Sequence, residues 1–267
     1  MASLDSSSSL VENTTPFDPS KDIFWCHEVG STMDKARELL KQEEYAAKKT
    51  FVVVADFQTA GRGTRGRSWV STIGNLYMTL VINMADVPLA LTLTPIRIGT
   101  FIIRAIDNAL RHEVFSQSSD NTNTSTSAPN PPPPLVQLKW PNDVIINSEK
   151  VSGVLIEIEN GKLLVGIGCN IVTAPVSPAT GPDSGCRAAT HLSAHTGVLE
   201  PPIVLQLRNF LATELYDSAQ QWVSGNSGDT EESVLDDFHL RMDDSWQVVV
   251  MSVWGYVSCL KPWQWMW

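Results

Sequence analysis

The sequence predicts an α+β protein with a central mixed or largely antiparallel sheet flanked by helices. Three observations predict it. Two apolar, β-branched stretches of strand length, 51–57 (Phe-Val-Val-Val-Ala-Asp-Phe) and 75–82, bracket a loop of glycine and arginine. A third stretch, 154–159, meets Asn160-Gly161, the strongest two-residue hairpin signal, and returns over 163–170. Apolar residues recur at helical spacing in 31–47, 94–110 and 201–223. Hairpin-linked strands interleaved with helices of ten or more residues belong to this class.

Taken in order, residues 1–22 are polar and Ser-rich and read as a disordered tail. Ile23 to Cys26 is a short strand that runs into Gly30-Ser31-Thr32-Met33-Asp34. There Ser31 suits a helix cap and Asp34, three residues on, makes a partial capping box. The helix is expected to reach Ala47, with Ala36, Leu39 and Leu40 inward. On this reading Ser31 and Thr32 are capping residues. A helix N-terminus aimed at a ligand is the alternative.

Gln58 to Trp69 follows the second strand: Q-T-A-G-R-G-T-R-G-R-S-W. Glycines let backbone N–H groups close around a ligand, and guanidinium forks suit carboxylate or phosphate oxygens. An ordinary solvated turn, or loose contact with RNA, stays open for the loop alone. Thr94-Pro95 opens the second helix, with threonine at the cap and proline at its first position. Ile98, Ile102, Ala105, Ile106 and Leu110 form its core face. Residues 115–134, rich in Ser, Thr and Asn and ending in four prolines, read as a disordered insertion that interrupts one domain. Pro141-Asn142-Asp143 reads as a turn, and Asp143 and Lys150 flank a short strand as an ion pair. Gly153, Gly166 and Gly168 sit inside strand patterns, where a glycine marks close approach to the backbone. His191 and His195 have the i, i+4 spacing of a metal pair, without a nearby acidic partner. The helix 201–223 turns Leu207, Leu211 and Leu215 inward.

Net charge is −10 over 267 residues, with a pI of about 4.9. That balance argues against a general nucleic-acid binder. It makes the arginine loop a local positive island, suited to a small anion. Cys26, Cys169, Cys186 and Cys259 are scattered, without a CxxC pair, which favours a reducing compartment. No apolar run reaches the length of a membrane span. The first twenty residues lack the basic-then-apolar order of a signal peptide, so a cytoplasmic protein with no membrane partner is expected.

Two blocks together carry a resemblance. Q-T-A-G-R-G…G-R-S-W (58–69), followed by K-W-P-N-D-V (139–144), K-V-S-G-V-L (150–155) and G-I-G-C-N-I (166–171), resembles the catalytic domain of biotin protein ligases. Ser31-Thr32-Met33-Asp34 and Ala189-Thr190-His191-Leu192 fit the same pattern, which covers about residues 23 to 223. The resemblance implies a biotin/lipoate ligase-like fold related to class II synthetases. It also implies ATP and biotin as substrates with Mg²⁺, and biotin carboxyl carrier domains of carboxylases as partners. Biotin would be activated to biotinyl-5′-AMP and then passed to an acceptor lysine. By similarity Ser31, Thr32, Met33, Gln58, Gly61, Gly153, Leu155, Gly166 and Gly168 hold biotin. The nucleotide falls to Arg62, Gly63, Thr64, Arg65, Lys139, Trp140, Asn142, Lys150 and Asn170. Arg62, Lys150 and Asp143 take the catalytic roles, and no resident metal site is implied.

The pattern departs in two places. Many relatives read G-R-G-R-x-G-R, whereas Thr64 stands at the fourth position here and an arginine follows at 65. Either Arg65 takes over or the adenylate is held more weakly. Residues 224–267 carry five of the nine tryptophans and do not resemble the small β-rich C-terminal module of relatives. Three rival readings remain: a lipoate-type ligase, a catalytically impaired binding relative, and an RNA-binding module.

Overall fold

The computed structural model describes residues 18, 20–112, 134–176, 188–196, 199–242, 247–251 and 256–260. The expected tail (but for its last residues), all but Pro134 of the insertion at 115–134, Cys186 and the tryptophans at 246, 254, 263, 265 and 267 lie outside them. Seven strands form one mixed sheet. The edge strand β1 (Ile23–Val29) runs parallel to β2 (Thr50–Gln58). Every later neighbour is antiparallel: β3 (Leu76–Asn83), then β7 (Lys162–Cys169), β6 (Glu149–Glu159), β5 (Asp143–Ile146) and β4 (Val136–Lys139) at the far edge. Asn160 and Gly161 join β6 to β7 at φ of 48° and 73°, the two positive values that a type I′ hairpin turn requires. A separate antiparallel pair, Gln247–Met251 with Tyr256–Leu260, lies in the C-terminal segment.

Strand alternation divides the molecule into two layers. Val52 and Val54 of β2, Met78 and Leu80 of β3, and Val165 and Ile167 of β7 point into the larger core. That core is covered by α3 (Thr94–Arg111), α5 (Pro201–Val223) and α6 (Glu231–Arg241). Leu207, Leu211 and Leu215 face it as their spacing predicts. Trp222 is fully buried there, edge-on to Phe101 at 5.9 Å between ring centres. Phe51, Val53, Val81 and Leu164 point to the other face, where α1 (Thr32–Leu39) adds Met33, Ala36 and Leu39. The functional pocket lies on this thinner side.

The first predicted helix is broken. Gln42 is extended at φ −90° and ψ 132°, and a short α2 (Glu43–Ala47) follows. At 3.6 residues per turn an unbroken helix would place Tyr45 about 180° from buried Ala36. The break instead turns Tyr45 edge-on to Phe51, at 5.2 Å between ring centres. Thr94 is also not the cap of α3. A 3-10 turn at 91–93 brings helical geometry in at Leu93, so Leu93 caps the helix and the Thr94 hydroxyl is buried inside its first turn.

Packing continues beyond 223, where the domain was expected to end. Val234 and Phe238 enter the larger core, and Gln137 Nε2 donates to the Met242 carbonyl. Arg97, 4% exposed, pairs with Asp229, while Asp237 takes Arg104 and Arg241, each at 2.8 Å. Burial depresses the Arg97 pKa against the pull of these carboxylates. The cluster fastens α6 to α3, although Arg97 Nε is left without a hydrogen-bond partner.

Candidate active site

The site is built on the α1 face of the sheet, where β6 and β7 present Gly153, Gly166 and Gly168 in place of side chains. Each vacancy is filled by a neighbour. A Cβ on Gly168 would lie 2.4 Å from the indole of Trp69, and one on Gly166 would lie 3.0 Å from the Met33 sulfur. A Cβ on Gly153 would meet both the Trp69 ring and Lys150 Nζ at 2.9 Å. The floor is therefore flat backbone, with Leu155 as its apolar wall.

One end of the floor is polar. Ser31 caps α1 by accepting from the Met33 N–H at 3.2 Å, so its hydroxyl hydrogen remains to be donated. Both the backbone N–H and the hydroxyl of Thr32 donate to Gln58 Oε1, at 2.9 and 3.2 Å, and Thr79 donates to the Thr32 hydroxyl. All four residues are buried. Capping and pocket lining are thus compatible roles for Ser31 and Thr32.

The loop 61–69 forms the roof as a closed hairpin. Trp69 N–H donates to Gly61 O at 2.9 Å and Gly63 N–H to Arg67 O at 2.7 Å. A Cβ on Gly61 would sit 2.6 Å from the Trp69 carbonyl, which only glycine avoids. Arg65 and Gly66 reverse the chain with φ of 59° and 72°. Arg62 is tied to α1 by a two-pronged pair with Asp34, at 2.6 and 2.8 Å, and Asp34 also takes Arg37 at 2.9 Å. The Arg62 hydrogen bond holds the Asp34 carboxyl below the usual range, and the same bond raises the Arg62 pKa. Asp34 serves this pair; its expected reach back to complete a capping box is not among its contacts.

At the opposite end Lys150 Nζ lies 2.6 Å from Asp143 and 5.3 Å from the centre of the Trp69 ring. Its backbone is braced on both sides by the 188–190 segment: Lys150 N–H donates to Ala188 O, and Thr190 N–H to Lys150 O. Asn170 donates to Thr190 O at 3.1 Å and fixes that segment to β7. Asn142 Nδ2 donates to Val154 O, which anchors the turn before β5.

These surfaces enclose a cavity of about 490 Å³, inside the usual range of small-molecule sites. Of the residues singled out in the sequence, Ser31, Thr32, Met33, Gln58, Arg62, Gly63 and Thr64 line it. So do Asn142, Lys150, Gly153, Leu155, Gly166, Gly168 and Asn170. Gly61, Arg65, Lys139, Trp140 and Asp143 are not on its wall. Asp143 stands behind Lys150, and Trp140 packs against the larger core. Also on the wall, and not assigned from the sequence, are Arg67, Ser68, Trp69, Val70, Met78, Val154, Ile167, Pro175, Val176 and Ala189. The one signal for Trp69 was the set of unexplained strand glycines, since three missing side chains call for a large one. Trp69 Nε1 is buried against Gly168 without a hydrogen-bond partner.

His191 and His195 do not share a helical face, because the helical turn α4 covers only Ser193–Thr196. His191 bonds Ser193 and His195 bonds Thr190. Among the described residues no group of three or more His, Cys, Asp or Glu converges to hold a metal. No described helix is long and apolar enough to cross a membrane.

A mixed sheet with a glycine floor, a polar helix terminus and a basic roof has the shape and charge to suit a small amphipathic ligand beside an anion. The model of the biotin/lipoate A/B protein ligase family matches residues 27–172, more than half of the chain. The chain belongs to that family. It is 31% identical over 180 residues to the bifunctional ligase/repressor BirA of Bacillus subtilis, matching 64% of this chain and 46% of that one. It is also 31% identical over 161 residues to biotin--[acetyl-CoA-carboxylase] ligase of Paracoccus denitrificans, matching 58% of each. The chain thus spans about half the length of these curated relatives. Among solved structures, biotin protein ligase of Leishmania major in complex with biotin superposes with a TM-score of 0.62 at 32% identity, covering 90% of this chain and 94% of that one. Its complex with biotinyl-5-AMP gives 0.59 at 31%, covering 90% and 95%.

Proposed function

We propose that this chain is an ATP-dependent biotin protein ligase that modifies a lysine on the biotin carboxyl carrier domain of a carboxylase. One observation carries the reading: a single cavity joins a flat slot over Gly153, Gly166 and Gly168 to the cationic groups Lys150, Arg62 and Arg67. The buried Ser31, Thr32 and Gln58 supply hydrogen-bonding groups at the end of the slot for a polar ring.

In the first step a biotin carboxylate oxygen attacks the α-phosphorus of ATP. The bond to the bridging oxygen breaks, and pyrophosphate leaves with its electron pair. Two anions meet in this step, and Lys150 and the guanidinium groups offset their repulsion and the charge that develops on the phosphoryl oxygens. Mg²⁺ would travel on the triphosphate, since no described carboxylate cluster is present to hold it. In the second step an acceptor amine attacks the acyl carbon and AMP leaves. That amine is mostly protonated at neutral pH. By the resemblance Asp143, ion-paired with Lys150 just behind the cavity wall, would orient it and receive its proton. The setting we propose is the cytoplasm, consistent with cysteines scattered along the sequence.

Single-turnover incubation with labelled biotin and Mg-ATP, with and without a carrier domain, tests the reading. Biotinyl-5′-AMP alone, then biotinyl-lysine once the carrier is added, is the expected result. Bound biotin with no adenylate would favour the impaired relative, and lipoate preferred over biotin would favour the sister activity.

A further inference from the structure

Outside the cavity, one guanidinium gathers three carboxylates and stands a single residue away from the roof. Arg37 lies in α1, three residues beyond Asp34. Its Nη1 donates to Asp34 Oδ1 at 2.9 Å, its Nε to Glu159 at 2.6 Å and its Nη2 to Glu157. Glu157 and Glu159 end β6, the strand that carries Lys150 and Gly153 nearer its start. Asp34 Oδ1 also accepts from Arg62 Nη2, so one oxygen bridges the two guanidinium groups. We propose that Arg37 is a positioning residue for the roof: held by the end of β6, it fixes the carboxylate that tethers Arg62. The tether stands on geometry alone, and its effect on turnover rests on the adenylating reading above.

Charge explains the need for all five groups. A lone carboxylate between two guanidinium groups would hold them against their mutual repulsion. Glu157 and Glu159 neutralise Arg37 from its other side, so it can stay beside Asp34 without driving Arg62 away. With Nε and Nη2 spent on the glutamates, Arg37 gives Asp34 a single donor. Asp34 therefore keeps Oδ2 for Arg62 Nη1, at 2.6 Å. Without Arg37, Asp34 is a half-exposed helix side chain free to change rotamer. Glu157 and Glu159 then become bare carboxylates that compete with it for Arg62. The competing account is that Arg37 only pins α1 to the sheet.

The test compares Arg37→Met, the double change Glu157→Gln with Glu159→Gln, and Asp34→Asn, alone and combined, in the full chain. The first readout is limited trypsin cleavage after Arg65 without ligands. Cleavage after Arg111, exposed at the end of α3 on the other face of the sheet, is the internal reference. Arg37→Met should speed the Arg65 cut about threefold relative to that reference, and the glutamate pair about twofold, the scale of partly exposed ion pairs. Neither should add to the effect of Asp34→Asn, because both act through that carboxylate. In biotin-dependent pyrophosphate release, Arg37→Met should lower KM for ATP about twofold and leave kcat within about twofold. Equal acceleration at both cleavage sites would mean that Arg37 serves the fold alone. Full additivity with Asp34→Asn would mean that it does not reach the roof through the carboxylate. Either result overturns the inference. A parent chain that forms no adenylate would sink the ligase reading, whereas the cleavage ratios would still decide the tether.

Discussion

The floor and the roof of the cavity are made in opposite ways. The floor is strand backbone: β6 and β7 are paired over eight residues from Ser152 to Glu159 and carry no charged side chain where Gly153, Gly166 and Gly168 lie. The roof is a nine-residue loop, 61–69, with three arginines, closed by its own short-range hydrogen bonds and by one ion pair to α1. Opening a ladder held on both sides disrupts many bonds at once, whereas a loop held at a few points opens locally at much lower cost. On the proposed function, the difference would leave shape selection to the floor and charge delivery to the roof. A rigid slot can exclude a wrong ring, and a movable guanidinium can follow a phosphate.

The largest effect should come from filling the floor. In Gly168→Ala the new methyl would fall 2.4 Å from the Trp69 indole, and the ring, carried by the roof, is what must give way. Biotin affinity measured by calorimetry should drop about a hundredfold, since both the slot and its cover are lost. Thermal stability should change little, because the ladder itself is untouched. Pairing Gly168→Ala with Trp69→Ala sharpens the point. Two residues in contact should be strongly non-additive, and simple addition of their effects would deny that they form one surface.

Next comes the charge at the junction of floor and roof. Lys150→Ala should lower the single-turnover rate of adenylate formation by roughly 10²- to 10³-fold, while biotin affinity falls far less. Loss of biotin binding in parallel with rate would mean that Lys150 shapes the slot and does not serve the phosphoryl step.

A smaller effect belongs to the roof's own tether. Asp34→Asn frees Arg62 from its resident carboxylate, and KM for ATP should fall about threefold, the scale of a partly exposed ion pair. Because Arg62 holds the Asp34 carboxyl below the usual range, the pair stays ionised between pH 5 and 8. The stability it adds is present above the ordinary aspartate value and is lost only as pH falls through the lower folded value. The ratio of KM between mutant and parent should therefore be flat across that window. A ratio that titrates near neutrality would show that another group controls Arg62.

The same contrast explains what was legible in the sequence. The floor was legible because its cues are local: Asn160-Gly161 dictates a turn, and alternation then fixes which face receives Gly166 and Gly168. The glycine loop announced itself by composition. Which arginine points inward was not legible, because it depends on positive φ at Arg65 and Gly66, and this reversal was not anticipated from a threonine-arginine-glycine run. The break before α2 was hidden too, since it answers to Phe24 and Phe51 on distant strands. Likewise α6 is held by Arg97, Asp229 and Asp237, charges that read as ordinary surface residues until folding buries them.

The weakest perturbation is one that should leave activity alone and report only which layer opens. Cys169 lies in β7 beside Gly168 and points into the larger core, where burial pushes its thiol up to about 12. At pH 8 only about one part in ten thousand is thiolate, and even that fraction is shielded from reagent. Arg65, by contrast, sits exposed at the tip of the roof. Mild trypsin should cut after Arg65 while iodoacetamide, followed by peptide mass mapping, leaves Cys169 unlabelled. Adding biotin with Mg-ATP should slow the cut and leave the thiol as it was. If Cys169 is labelled as fast as the loop is cut, the floor opens with the roof, and the division between a fixed slot and a moving charge is wrong.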